Sequence, residues 1–191
     1  KDKASNSETV KTAGPVKIDK TKSTGSVNIN NNATITNTTS VTLYISASDA
    51  LSGIWQMQFS NDNITWSTPE AYATTKAWTL TSGDGTKTVY ARFTDNASNT
   101  SIAYSDTIML DTILPTISIT NPLNNTQVSD TVDVSANASD AGGIKEVKFY
   151  IDGVLKSTDT TSPYTYSWDT KPYLNASHII KVEAYDNANQ M

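Results

Sequence analysis

One short polar motif, set at a near-constant interval, constrains this chain more than any other feature. "DNASN" (Asp95 to Asn99) follows a stretch of alternating apolar residues, and variants stand towards both ends, "DKASN" from Asp2 and "DNANQ" from Asp186. Asp95 lies 93 positions after Asp2 and 91 before Asp186. Two further registers agree. "KIDKTKSTGSV" (17–27) aligns with "MLDTILPTISI" (109–119), which puts Asp19 92 positions before Asp111. "VTLYISASDALSGI" (41–54) aligns with "VDVSANASDAGGI" (132–144), which puts Asp49 91 positions before Asp140. A period near 92 is too long for a solenoid unit and implies a row of complete small domains.

Thr, Val, Ile and Tyr crowd the apolar stretches, as suits pleated, half-buried strands, while runs of Ala, Leu, Glu and Lys are absent. The expectation is an all-β fold. In the first repeat the spacing predicts strands near 26–29, 41–48, 54–60, 65–67, 77–81, 88–94 and 105–110. In "TVYARFTD" Val89, Ala91 and Phe93 point one way and Tyr90 and Arg92 the other, and in "VTLYISAS" Val41, Leu43, Ile45 and Ala47 share a face. Seven short alternating strands in about 90 residues describe an immunoglobulin-like sandwich. With no cysteine, a disulfide framework and a thiolate metal site are excluded, and about 90 residues suffice for a core without them.

A net charge of −5 without a basic cluster argues against nucleic acid and anionic membranes as partners. No segment approaches the roughly 20 apolar residues of a membrane span, so no membrane insertion is expected within this chain. The opening "KDKASNSETV" lacks the apolar heart of a signal peptide, so an export signal or anchor is expected outside the segment.

"MQFSNDNITWSTPEAYATTKAWTLTSGDGTKTVYARFTDNASN" resembles the first-type immunoglobulin-like repeat of large bacterial and archaeal surface and secreted proteins. "PTISITNPLNNTQVSDTVDVSANASDAGGIKEVKFYIDGVLKSTDTTSPYTYSWDT" looks like the repeat appended to many secreted polymer hydrolases and adhesins. The resemblance covers nearly the whole chain and implies an extracellular or cell-surface setting. It implies no particular activity, because such repeats are spacers more often than active parts.

If each DNASN-like motif follows the sixth strand of a sandwich, residues 1–19 are the last strand of an upstream repeat. Residues 20–111 then form one whole domain, and 112–191 a second that stops before its final strand. Strand donation is one consequence, with Val16 and Ile18, which align with Ile108 and Leu110, filling the open edge of a neighbouring copy head-to-tail. Such a contact does not close and builds filaments.

Acidic residues recur in three loops that this topology gathers at one end of each sandwich. The first set is Asp19, Asp49, Asp95 and Asn99, and the second is Asp111, Asp140, Asp186 and Asn189. Hard oxygen ligands from three loops at a domain junction suit calcium. The same residues also form turns, since Asp and Asn cap backbone N–H groups. No cofactor is required by this reading, and calcium at the junctions would stiffen the hinge without chemistry.

The single histidine, His178, is expected to make a structural hydrogen bond. No catalytic arrangement is visible: there is no Ser-His-Asp order and no glycine-rich phosphate loop, and the paired carboxylates have a structural role. Trp78 and Trp168 are expected in the cores, whereas Trp66 beside Tyr72 is a candidate polysaccharide-stacking pair. Sequons stand at Asn32, Asn37, Asn63, Asn96, Asn99, Asn124, Asn137 and Asn175; glycan at Asn96 or Asn99 would conflict with a tight calcium loop. Taken together, the sequence points to a non-enzymatic spacer array such as an adhesin stalk, surface layer or fibre. The alternatives are a strand-donating filament subunit of identical copies and a carbohydrate-binding accessory module of a secreted hydrolase.

Overall fold

A computed structural model describes residues 11–191; the motif copy at 2–6 lies outside the described residues. Among the described residues fourteen strands and no helix are formed. The alternating stretches become strands with one dry face. β1 (Thr24–Ile29), β3 (Ser40–Ser48) and β6 (Thr75–Thr79) make one sheet in the order β1-β3-β6. Facing it is a five-stranded sheet in the order β2-β8-β7-β4-β5, from β2 (Ile35–Thr36), β4 (Ile54–Ser60), β5 (Glu70–Ala71), β7 (Gly85–Asp95) and β8 (Tyr104–Leu110). Val41, Leu43 and Ile45 from one sheet meet Phe59, Val89, Ala91 and Phe93 from the other in a single core.

The second half repeats the arrangement. β9 (Thr116–Asn121), β10 (Thr131–Ser139) and β13 (Tyr164–Asp169) pair in the order β13-β10-β9. β11 (Ile144–Ile151), β12 (Val154–Asp159) and β14 (Ile180–Asp186) pair in the order β12-β11-β14. Val134, Val147, Phe149, Ile151 and Trp168 fill a separate core between them. The fold is an all-β, immunoglobulin-like sandwich in each half.

Several details differ from the sequence reading, beginning with the strand expected at 77–81, which forms at Thr75–Thr79. No strand forms at 65–67; Pro69, which has no N–H to donate, precedes the ladder, and pairing begins at Glu70 with Met57. The two-residue β2 was not anticipated. It follows a turn in which Asn30, Asn31 and Asn32 all take left-handed backbone angles, and it pairs in parallel with β8. That turn carries the first edge segment from one sheet to the other.

The two cores solve one packing problem in opposite ways. A Cβ on Gly25 would run into the Phe93 ring and come within 2.7 Å of the Ser46 carbonyl. The corresponding positions of the second half hold Ile117 and Ala184, a large residue on the first strand and a small one on the sixth. Summed volume is kept while its source moves across the sandwich, as dense cores require.

The halves join closely. β8 ends at Leu110 and β9 begins at Thr116. The Asp111 N–H donates to the Thr36 carbonyl at 2.9 Å, and Asp84 Oδ1 accepts from both the N–H and the hydroxyl of Thr112. Across the join, Asn37 Nδ2 donates to the Ala188 carbonyl at 3.3 Å. Residues 11–19 belong to no strand, and Val16 and Ile18 are exposed. β7 lies between β4 and β8, but among the described residues its counterpart β14 pairs only with β11. Ile180 and Val182 on β14 are accordingly half-buried, where Val89 and Ala91 on β7 are fully buried.

Candidate metal centre

The recurring pentapeptide is a turn that organises itself around its first residue. Asp95 Oδ1 accepts the N–H groups of Ala97 and Asn99, and the Asp95 N–H donates to the Asn99 carbonyl. Asp186 does the same with Gln190, through its Oδ1 and its own N–H. Asp95 and Asp186 are both completely buried.

Two other aspartates join each turn. One carboxylate oxygen from each of Asp19, Asp49 and Asp95 lies within 4.8 Å of the others, and Asp111, Asp140 and Asp186 form an equivalent group. These are the six aspartates expected from the loops. Each braces its own loop with one oxygen. Asp49 Oδ1 accepts from the N–H groups of Leu51, Ser52 and Gly53, and these bonds, that of Ser52 foremost, hold its carboxyl below the usual range. Asp140 Oδ1 accepts from Gly142 N–H, Asp111 Oδ1 from Ile113 N–H, and Asp19 Oδ1 from Thr21 N–H. The other oxygens of Asp19, Asp49, Asp111 and Asp186 are buried without a hydrogen-bond partner. None of the salt bridges among the described residues reaches either group.

The groups are not identical. In the first, Asp95 Oδ2 accepts from Asn99 Nδ2 at 2.9 Å, so both of its oxygens are used, and Asp19 and Asp49 are only partly buried. In the second, Asp111 is 4 % exposed and Asp186 0 %. Burial pushes the Asp111 carboxyl up, and the neighbouring Asp140 and Asp186 charges raise it further. Gly142 leaves room for this approach, because a Cβ there would collide with Asp111 Oδ2.

Asn99 stands beside the first group, its Nδ2 donating to Asp95 Oδ2 and to the Asp19 carbonyl. Asn189 is not its counterpart. It takes a left-handed φ of 62° and accepts from Lys145 Nζ at 2.6 Å. Gln190 holds the equivalent place, with Nε2 donating to the Asp111 carbonyl at 2.7 Å. Ungapped alignment of "DNANQ" on "DNASN" contains that answer; matching by residue type concealed it.

The other candidates fall elsewhere. Tyr72 packs edge-on against Phe93, and its hydroxyl accepts the Ala47 N–H. Trp66 has the Arg92 guanidinium 4.2 Å from its ring centre. The two rings therefore serve different neighbours, and a sugar would have to displace Arg92 from one face of Trp66. Among the sequons, Asn37, Asn96 and Asn99 commit Nδ2 to main-chain carbonyls, whereas Asn32, Asn63, Asn124, Asn137 and Asn175 are exposed.

His178 lies between two loops. Nδ1 is 2.7 Å from Asp152 Oδ2 and Nε2 is 2.9 Å from the Leu174 carbonyl. Both partners accept, so both ring nitrogens donate in the imidazolium form. The Leu174 carbonyl first, and Asp152 second, raise its pKa above the ordinary 6.5. Protonation is therefore favoured by folding: this contribution is complete below pH about 6.5 and is lost as pH rises through the higher folded value. Because His178 is the single histidine, the melting temperature should fall between pH 5.5 and 8.5, and His178→Gln should flatten that fall. Thermal denaturation across the range checks both.

Comparison with known proteins bears on the fold. Residues 115–182 match the family model of the bacterial Ig domain, so that stretch is similar to a bacterial immunoglobulin-like repeat. Among solved structures, the chain is similar to the fibronectin(III)-like modules of Clostridium thermocellum CbhA, at 22 % identity and a TM-score of 0.55. That match covers 86 % of this chain and 87 % of the other, and it bears on the fold. No curated protein matches the sequence. Immunoglobulin-like modules are generally non-catalytic.

Proposed function

We propose that the chain is a non-enzymatic spacer, two immunoglobulin-like repeats divided at Asp111, from a row of such repeats in an extracellular surface protein. Its work is mechanical: it holds a terminal part away from the surface at a set distance. The observation that carries this reading is the join. Asp111 hydrogen-bonds to the first sandwich through its N–H and contributes its carboxylate to the second, which leaves little free linker between the halves.

A second reading rests on β14. Among the described residues that strand has a partner only on its β11 side, and the exposed Val16 and Ile18 carry the apolar alternation of β8. In this reading residues 11–19 of one copy complete the sheet of the next. Small-angle scattering with light-scattering mass determination tests both. The spacer reading expects an elongated particle of one chain's mass at every concentration, and a compact particle overturns it. Mass that grows with concentration, and returns to one chain after residues 1–18 are deleted, selects the filament.

A further inference from the structure

We infer that Asp111, Asp140 and Asp186 bind one calcium ion at the join between the halves. The inference is independent of the spacer reading, since a metal site and an elongated shape can each hold without the other.

Three acidic side chains near one another are by themselves unremarkable on a protein surface; two of these are buried, with Asp140 partly so. Asp186 is wholly buried and Asp111 nearly so, and each has an Oδ2 without a hydrogen-bond donor. Burying an ionised carboxylate without a partner is costly, and one carboxylate oxygen from each of Asp111, Asp140 and Asp186 lies within 4.8 Å of the others. No lysine, arginine or histidine among the described residues pairs with them. The missing partner is a cation small enough to sit between three loops.

The donor set selects its chemistry. All three ligands are hard carboxylate oxygens, the chain has no cysteine and its one histidine is engaged elsewhere, which argues against zinc and copper. Each carboxylate is oriented by a main-chain N–H of its own loop, so ligand directions follow the loops and not an ideal octahedron. Calcium accepts such irregular oxygen shells and completes them with water or carbonyl groups, whereas magnesium demands near-octahedral geometry. In the first group Asp95 has no spare oxygen and its two partners are half-exposed, so that group is the weaker of the two.

Calorimetric titration of the chain with calcium chloride should give a dissociation constant on the order of 10⁻⁴ to 10⁻³ M, the range of extracellular modules, with magnesium at least tenfold weaker. Asp111→Asn should remove that binding. In chelator the variant should melt at or above the parent, because one buried charge has gone; in 10 mM calcium it should melt below. Failure of the parent to give heat or a melting shift at 10 mM calcium overturns the inference, as does an unchanged response in Asp111→Asn. If that variant does not fold, Gly142→Ala, which crowds Asp111 Oδ2, must weaken calcium binding by a similar factor; unaltered affinity overturns the inference. Scattering in chelator judges the spacer reading separately.

Discussion

Phe93→Ala should cost the first sandwich about 3–5 kcal/mol, the usual consequence of emptying a large, fully buried aromatic site. Phe93 is 0 % exposed and touches Tyr72 and Tyr104 with ring centres 6.4 and 6.0 Å away. What makes the site informative is Gly25, which has no side chain because the Phe93 ring occupies that space. Gly25→Ile in the parent is therefore expected to be as damaging as the cavity itself. The second half shows the complementary solution in Ile117 and Ala184. Combining Gly25→Ile with Phe93→Ala should thus give a protein more stable than Phe93→Ala alone. Recovery will be partial, since the Ser46 carbonyl also stands 2.7 Å from the new Cβ and must shift. Denaturant unfolding of the four proteins forms a double-mutant cycle; a double variant no better than Phe93→Ala would refute the exchange.

Trp168→Ala should destabilise the second sandwich by a similar amount, about 3–5 kcal/mol. The indole is 3 % exposed and is packed edge-on by Tyr173 at 5.3 Å and His178 at 6.0 Å. Trp168→Phe should be far milder, below about 1.5 kcal/mol. Its smaller ring loses contacts, but the change also removes an indole N–H that is buried without an acceptor, a group that costs about 1–3 kcal/mol to leave unsatisfied. Thermal unfolding of both variants checks the ranking. A loss in Trp168→Phe as large as that in Trp168→Ala would refute the milder expectation.

Much of this architecture is legible in the sequence because β structure writes its burial at period two. Val89, Ala91 and Phe93 are dry and Tyr90 and Arg92 are not, as alternation alone requires. The repeat offsets bring both aspartate triads together, since equivalent loops of equivalent sandwiches must share an end. What escaped detection depends on contacts between distant segments. The two-residue β2 is too short for periodicity and exists because a turn of left-handed asparagines sets it beside β8. Gly25 falls just outside the strand expected at 26–29, and its role depends on the Phe93 ring, 68 positions away, filling its space. Gln190 escaped because chemical likeness drew attention to Asn189, although backbone position decides which amide reaches the Asp111 carbonyl.

The parallel pairing of β2 with β8 bears on how this chain would meet a pull. Ile35 lies opposite Met109 and Thr36 opposite Leu110, and the Met109 and Asp111 N–H groups donate to the Thr34 and Thr36 carbonyls. One of these strands lies near the entry to the first sandwich and the other at its exit. Tension between entry and exit drags parallel neighbours past each other in opposite directions, so their cross-bonds are strained together and yield as a set. Strands peeled from one end would release them singly, at lower force. Near its exit the first sandwich is thus fastened by a shear clamp, with Asp111 as the last bond before the next repeat begins.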